Sequence, residues 1–261
     1  MTPVRGIVLD MEGVLHVDWR PIPGSPQAVA QLAAVGIVLG VLTNTTGRTR
    51  ADIAERLAGM GFELPAERII TAASAAADHL RENHAGARVF AMVEAGVRPD
   101  LEGISLVDDP AGADVVLLGG PDESWTYGRL NAVFRVVRTG VPLVAMQRNR
   151  WWPTADGPSL DAGMFVAGLE YAASVSAEVI GKPSPAIYRT ACGLLGVAAD
   201  AAMMVGDDPE SDLAPAAGIG MRTCLVRTGK GSSFGAVEVD LDLPDLAALP
   251  QAIAGLPPHG G

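Results

Sequence analysis

Cysteine is nearly absent: the 261 residues include two, Cys192 and Cys224. Two thiols make no disulfide framework, and both sit in apolar surroundings that suit small core residues rather than reactive thiols. Basic charge is also scarce, with 19 Lys and Arg against 30 Asp and Glu for a net charge of −11. That balance excludes the positive footprint of an electrostatic nucleic-acid binder and the polybasic stretch of a membrane anchor. No apolar run approaches the roughly 20 residues of a membrane span. The opening, MTPVRGIVLDMEG, lacks the basic-then-apolar order of a signal peptide. What the chain does have is apolar content, 49%, enough to bury a substantial core. The expectation is a soluble cytoplasmic protein with neither nucleic acid nor membrane as partner.

Short Val/Ile/Leu-rich runs alternate with Ala-rich stretches. Residues 6–10, 37–42, 88–93, 113–118, 141–146, 177–180, 202–206 and 221–226 read as strands. Their continuous apolar character is that of strands buried on both faces. Helices are predicted over 25–35, 48–60, 71–83, 125–138, 162–173, 184–195 and 209–217. This alternation implies parallel sheets with right-handed crossovers. Polar chemistry follows the strands in residues 1–80 and 180–249 but not around 85–175, so the middle reads as an insertion into an outer domain. The expected division is 1–80 with 180–261, and 81–179 as the insert. The Pro/Gly-rich tail, 250–261, is expected to fray.

Ligands of open α/β sheets bind at the carboxyl ends of strands, and four such ends carry chemistry. In GIVLDMEGVLH (6–16), Asp10 ends a strand, Glu12 follows and Gly13 permits a tight path. In VLTNTTGRT (41–49), Thr43 and Asn44 precede a helix, where N–H groups bind phosphate; helix capping by Asn44, Thr45 or Thr46 explains the same residues. In EVIGKPSPAIY (178–188), Ser184 and Pro185 start a helix, but capping does not need Lys182, a point charge suited to phosphate or carboxylate. In MMVGDDPESDL (203–213), Asp207, Asp208 and Asp212 crowd one strand end and repel unless a cation neutralises them. An all-oxygen set selects Mg²⁺ more readily than Zn²⁺, although an acidic solvated turn has the same composition.

In this order, Asp-x-acid, Thr, Lys and Gly-Asp-Asp, the sequence resembles the haloacid dehalogenase superfamily of phosphohydrolases. More narrowly it resembles the class with an α/β cap inserted between the second and third motifs. The likeness spans nearly the whole chain and is best over 169–185, 203–212 and 221–230. It implies a Rossmann-like parallel-sheet core with an inserted α/β cap domain, and a phosphatase acting on a small phosphorylated molecule. By the same resemblance Asp10 is the nucleophile and forms a phosphoaspartyl intermediate. Mg²⁺ is held by Asp10, the backbone carbonyl of Glu12, Asp207, and Asp208 or Asp212. Thr43 and Asn44, with Thr45 beside them, hold phosphoryl oxygens, and Lys182 neutralises Asp10 and the transferring group. A homodimer through the insert is left open.

Family phosphatases usually carry Asp where this chain has Glu12, so proton transfer to the leaving group is the step in question. Either Glu12 works as a displaced acid/base, or the substrate's leaving group needs little protonation. A catalytically weak phospho-ligand-binding or regulatory protein is the alternative reading. A carbon–halogen hydrolase, which needs no metal, is opposed by the acidic cluster. In the insert, Arg148, Arg150, Trp151 and Trp152 of the 147–157 loop, with the 160–165 loop, suit either substrate contact or an interface. His16 reads as a surface or packing residue, and His79 and His84 as solvated.

Overall fold

The computed structural model describes residues 3–154 and 157–255. β1 (Gly6–Leu9) leads into a hairpin of β2 (His16–Val17) and β3 (Arg20–Pro21), followed by α1 (Ser25–Ala34), β4 (Val38–Thr43), α2 (Arg50–Gly59) and β5 (Ile69–Thr71). Next come α3 (Ala72–Asn83), β6 (Arg88–Met92), β7 (Ser105–Val107), β8 (Val115–Leu118), α4 (Tyr127–Val137) and β9 (Leu143–Ala145). A second hairpin, β10 (Trp151–Thr154) and β11 (Gly157–Leu160), precedes α5 (Ala162–Ala173) and β12 (Glu178–Val179). The chain continues through α6 (Pro185–Leu195), β13 (Ala202–Gly206), α7 (Ala214–Ala217), β14 (Arg222–Val226), β15 (Leu241–Leu243) and α8 (Leu249–Ala254).

Two compact units result. Unit 1 comprises 1–43, 50–70 and 182–261, and unit 2 comprises 44–49 and 71–181. Polar patterning suggested crossings near 80 and 180; the division falls at Ile70/Thr71 and Gly181/Lys182. The whole of α3 therefore belongs to unit 2. Thr71 is its N-cap, and a capping box with Ser74 fixes where the helix begins.

Unit 1 is built on a six-stranded sheet, ordered β15-β14-β13-β1-β4-β5. β1 lies between β13 and β4, parallel to both. Every residue of β1, β13 and β14 is buried, which is why these runs read as continuously apolar rather than alternating. Ile7, Leu9, Val41, Met203 and Val205 pack with Val29 and Leu32 of α1 and Ile53 and Leu57 of α2. Cys224 lies in this core and Cys192 on the buried face of α6; both are free thiols.

Unit 2 has its own five-stranded sheet, ordered β12-β9-β8-β6-β7, with parallel neighbours throughout. Its core is formed by Phe90, Val116, Leu118, Ala145, Val133 and Val166. The 147–157 segment is not the open loop its sequence suggests. Trp151 pairs with Leu160 and Trp152 with Ser159 in the β10–β11 hairpin, and both tryptophans remain more than half exposed. Ala155, Asp156 and the frayed-tail expectation beyond residue 255 lie outside the described residues.

Candidate active site

Sheet register decides which side chains meet. Leu9 of β1 is level with Val205 of β13 and Val41 of β4, so Asp10, Asp207 and Thr43 all project beyond the same carboxyl edge. The Asp10 N–H donates to Val205 O at 2.9 Å, continuing the ladder one residue past β1. Asp10, Thr43 and Asp207 are all buried. The chain after β13 forms a π-turn over Pro209–Leu213, which turns the fully buried Asp212 back toward the strand end. One carboxylate oxygen from each of Asp10, Asp207 and Asp212 lies within 4.8 Å of the others.

Two glycines make room for this cluster. Gly13 has φ +84° and Gly229 has φ +51°, a region where a side chain is strained. A Cβ at either position would overlap the Asp207 carboxylate. Asp207 is thus clasped between the turn after β1 and the turn after β14, where the Lys230 N–H donates to it at 2.7 Å.

Lys182 is the cation of the site. Buried to 5% exposure, its Nζ donates to Asp10 at 2.6 Å and to Asp212 at 2.7 Å. Burial opposes its charge, but Asp10 and Asp212 outweigh burial and raise its pKa above the ordinary lysine value. Burial, then the charge of Asp10, push the Asp207 carboxyl up to about 7. Asp212 is also pushed up to about 7: burial leads, Lys182 opposes it, and Asp10 and Asp207 add to it. Three carboxylates face one ammonium in a buried pocket, −3 + 1 = −2 when all are ionised, and the raised values of Asp207 and Asp212 are the response to that surplus. An all-oxygen set with that surplus fits a hard divalent cation.

The remaining sequence-predicted residues have other surroundings. Asp208 caps the π-turn, accepting from the Glu210 and Ser211 N–H groups, and pairs with Lys230 at 3.0 Å. Burial would raise its pKa, but Lys230 and these N–H groups hold it below the usual carboxylate value. Asn44 and Thr45 are grouped with unit 2, where Asn44 Nδ2 donates to Asn149 Oδ1 at 3.3 Å. Arg148 is paired with Glu170 at 2.6 Å.

Glu12 is held by its own hairpin. Its Oε1 accepts from the Asp18 N–H at 2.9 Å, and its Oε2 lies 3.0 Å from His16 Nδ1. Burial would raise its pKa; the neighbouring His16 ring and the Asp18 N–H prevail and hold it below the usual value. His16 is fully buried, stacked on Trp19 with ring centroids 4.7 Å apart, and Arg56 lies 4.8 Å over the Trp19 ring. Asp18 and Trp19 both have positive φ, as the two-residue turn between β2 and β3 demands. Sequence reasoning missed this unit because Asp-Trp is not the Asn-Gly or Asp-Gly pair that announces such a turn. Tyr188, Lys230 and Gly229 were missed as well. Tyr188 is buried and its hydroxyl donates to Ser211 O, bracing the π-turn. Its placement on the inner face of α6 was legible; its partner was not.

Comparison with known proteins identifies the family and the fold. The sequence model of a family described as haloacid dehalogenase-like hydrolase matches residues 7–106, and a second, HAD-hydrolase-like, matches 179–248. Haloacid dehalogenase-like hydrolase domain-containing protein 2 of Pongo abelii is 33% identical over 227 residues, 87% of this chain and 85% of that one. Phospholysine phosphohistidine inorganic pyrophosphate phosphatase of Homo sapiens is 34% identical over 233 residues, 87% and 84% of the two chains. Among solved structures, the p-nitrophenyl phosphatase from Archaeoglobus fulgidus superposes with a TM-score of 0.89 at 27% identity, covering 96% of this chain and 99% of that one. The chain belongs to the haloacid dehalogenase-like hydrolase family and is a hydrolase.

Proposed function

We propose that this protein is a Mg²⁺-dependent phosphatase that transfers the phosphoryl group of a small substrate to Asp10 and then to water. The observation that carries this is the buried Lys182 ammonium bridging Asp10 and Asp212, with Asp207 completing the carboxylate set. A carboxylate attacks an anionic phosphate poorly because like charges repel. Lys182 removes part of that repulsion by its charge and holds Asp10 in place by its hydrogen bond. Bound Mg²⁺ supplies further neutralisation of the phosphoryl oxygens, and Asp10, Asp207 and Asp212, with the Glu12 carbonyl, are the groups proposed to hold it. Thr43, Asn44 and Thr45 are proposed as donors to the phosphoryl oxygens. In the first step an Asp10 oxygen bonds to phosphorus and the bond to the leaving group breaks. In the second, water bonds to phosphorus, inorganic phosphate leaves and the Asp10 carboxylate is restored. Names of two similar proteins, one a p-nitrophenyl and one a phospholysine, phosphohistidine and pyrophosphate phosphatase, support this substrate class.

The Glu12 tether narrows the class. A carboxylate that accepts from the Asp18 N–H, lies 3.0 Å from His16 Nδ1, and has a depressed pKa is a poor proton donor. Leaving groups that need little protonation, as in aryl phosphates, phosphoramidates and pyrophosphate, fit best. The same tether favours a second reading, a phospho-ligand-binding protein with slow turnover. The assay that decides between them is 4-nitrophenyl phosphate hydrolysis with Mg²⁺. Turnover lost in Asp10→Asn and on chelation is the expected result. No turnover in the unaltered protein favours the binding reading, and turnover surviving Asp10→Asn overturns the nucleophile.

A further inference from the structure

Unit 2 contains a cluster that the phosphatase reading does not use. His79 lies in the last turns of α3, and His84 caps the helix with φ −132° and ψ 41°. Five residues apart, two side chains on a continuous helix point about 140° away from each other, at 100° per residue. Because the chain leaves the helical path at His84, the rings instead approach to 5.6 Å between centroids, tilted by 58°. Glu178 of β12 brings its Oε2 to 3.2 Å from His79 Nε2. One ligand atom from each of the three lies within 4.8 Å of the others.

The sequence suggested that both imidazoles were solvated; both are instead partly buried. His79 is 15% exposed, and its Nε2 is sealed from solvent. That nitrogen faces the Glu178 carboxylate without forming a hydrogen bond of good geometry. Its other ring nitrogen faces the Asn83 amide, with Nδ1 to Nδ2 at 3.2 Å. The same Asn83 Nδ2 donates to the His79 carbonyl at 3.1 Å, so the amide is held against the ring and fixes its orientation, as an outer partner does for a ligating histidine. The cluster also sits at the carboxyl end of a helix of 12 residues, the end at which positive charge is favoured.

We propose that His79, His84 and Glu178 form a zinc-binding site, separate from the carboxylate site of unit 1. Two imidazoles and one carboxylate are a ligand set for a borderline ion, and three protein ligands leave a fourth tetrahedral position to water. α3 directly follows the crossing at Ile70/Thr71, and β12 directly precedes the crossing at Gly181/Lys182. Zinc therefore pins together the elements at the two ends of the 71–181 segment of unit 2, and acts as a brace on them.

The test is titration of the full chain with ZnCl₂ in excess Mg²⁺, which keeps the carboxylate site occupied, followed by calorimetry. Cobalt(II) visible spectra serve as a readout of tetrahedral nitrogen and oxygen ligation. The expected result is one zinc equivalent, weakened at least about 100-fold in His79→Ala or His84→Ala, beyond the span of outer-partner losses, and about tenfold in Asn83→Ala. Glu178→Gln, at a half-exposed side chain, keeps the test valid should a histidine variant misfold, and it also weakens binding. Absence of a zinc equivalent in the unaltered protein overturns the proposal. So does binding unchanged by Glu178→Gln and by a folded histidine variant.

Discussion

Each unit gathers three side chains that offer ligand atoms within 4.8 Å of one another, but the two clusters are made differently. In unit 1, Asp10, Asp207 and Asp212 are buried oxygen donors, and a lysine shares the space with them. In unit 2, His79 and His84 are half-buried and Glu178 is exposed, with nitrogen supplying two of the three donors. The first arrangement is costly without a cation, because buried like charges must either be paired or protonated. The second is tolerable without one, because its one carboxylate is exposed and no like charges are crowded in a buried pocket. Removing charge balance should therefore damage unit 1 far more than unit 2.

The largest effect is expected from Lys182→Met. It leaves Asp10 and Asp212 buried with neither hydrogen bonds nor countercharge from Nζ. Breaking a buried pair in this way typically costs about 3–5 kcal/mol. Chemical denaturation of the metal-free protein should show a loss of that size, with phosphatase turnover abolished. A folded variant that retains full activity contradicts the role given to Lys182.

The next contrast is with pH. Asp207 and Asp212 titrate near 7 in the folded protein against an ordinary value of 3.8. A raised carboxyl binds its proton more tightly when folded, so the stability it contributes is present at low pH and lost as pH rises toward and through 7. Metal-free protein should melt at a lower temperature at pH 8 than at pH 6, and Mg²⁺ should recover most of the difference. A melting temperature that instead rises across this window, without metal, argues against the crowded carboxylates.

The smallest effect is expected from Glu12→Ala. Its carboxylate is tied to His16 and to the Asp18 N–H, so its loss should slow turnover less than about tenfold, below the 10²–10⁴-fold of a working acid–base group. The loss should also be the same for aryl phosphates of low and high leaving-group pKa. A loss that grows steeply with leaving-group pKa makes Glu12 the proton donor after all.

The same two clusters show what the sequence revealed and what it hid. Asp10, Thr43 and Asp207 stand directly beyond short apolar runs, and strand register carries such residues to one sheet edge; Lys182 was legible as a lysine before a helix start, but it follows β12, a strand of the other sheet, so register does not place it. Asp212 was legible only as one of two choices. Its burial depends on a π-turn braced by Tyr188, and nothing in PESDL specifies that geometry. The boundary of unit 2 was drawn some ten residues late because α3 is a helix like its neighbours; the capping box that opens it marks a helix start and not a domain edge. His79, His84 and Glu178 are separated by about ninety residues of chain between helix and strand, so only the folded backbone brings them together. The β2–β3 hairpin was hidden by its Asp-Trp turn, whose positive φ at Trp19 is held by stacking on His16.

The central claim is that Asp10 becomes covalently phosphorylated during turnover. It is tested most directly by acid-quenching the protein during steady-state hydrolysis and locating phosphate by peptide mass spectrometry, with borohydride reduction of the acyl phosphate as confirmation. The account predicts a phosphorylated, borohydride-sensitive peptide containing Asp10, absent in Asp10→Asn. Rapid turnover with phosphate found on another residue, or with turnover intact in Asp10→Asn, contradicts it.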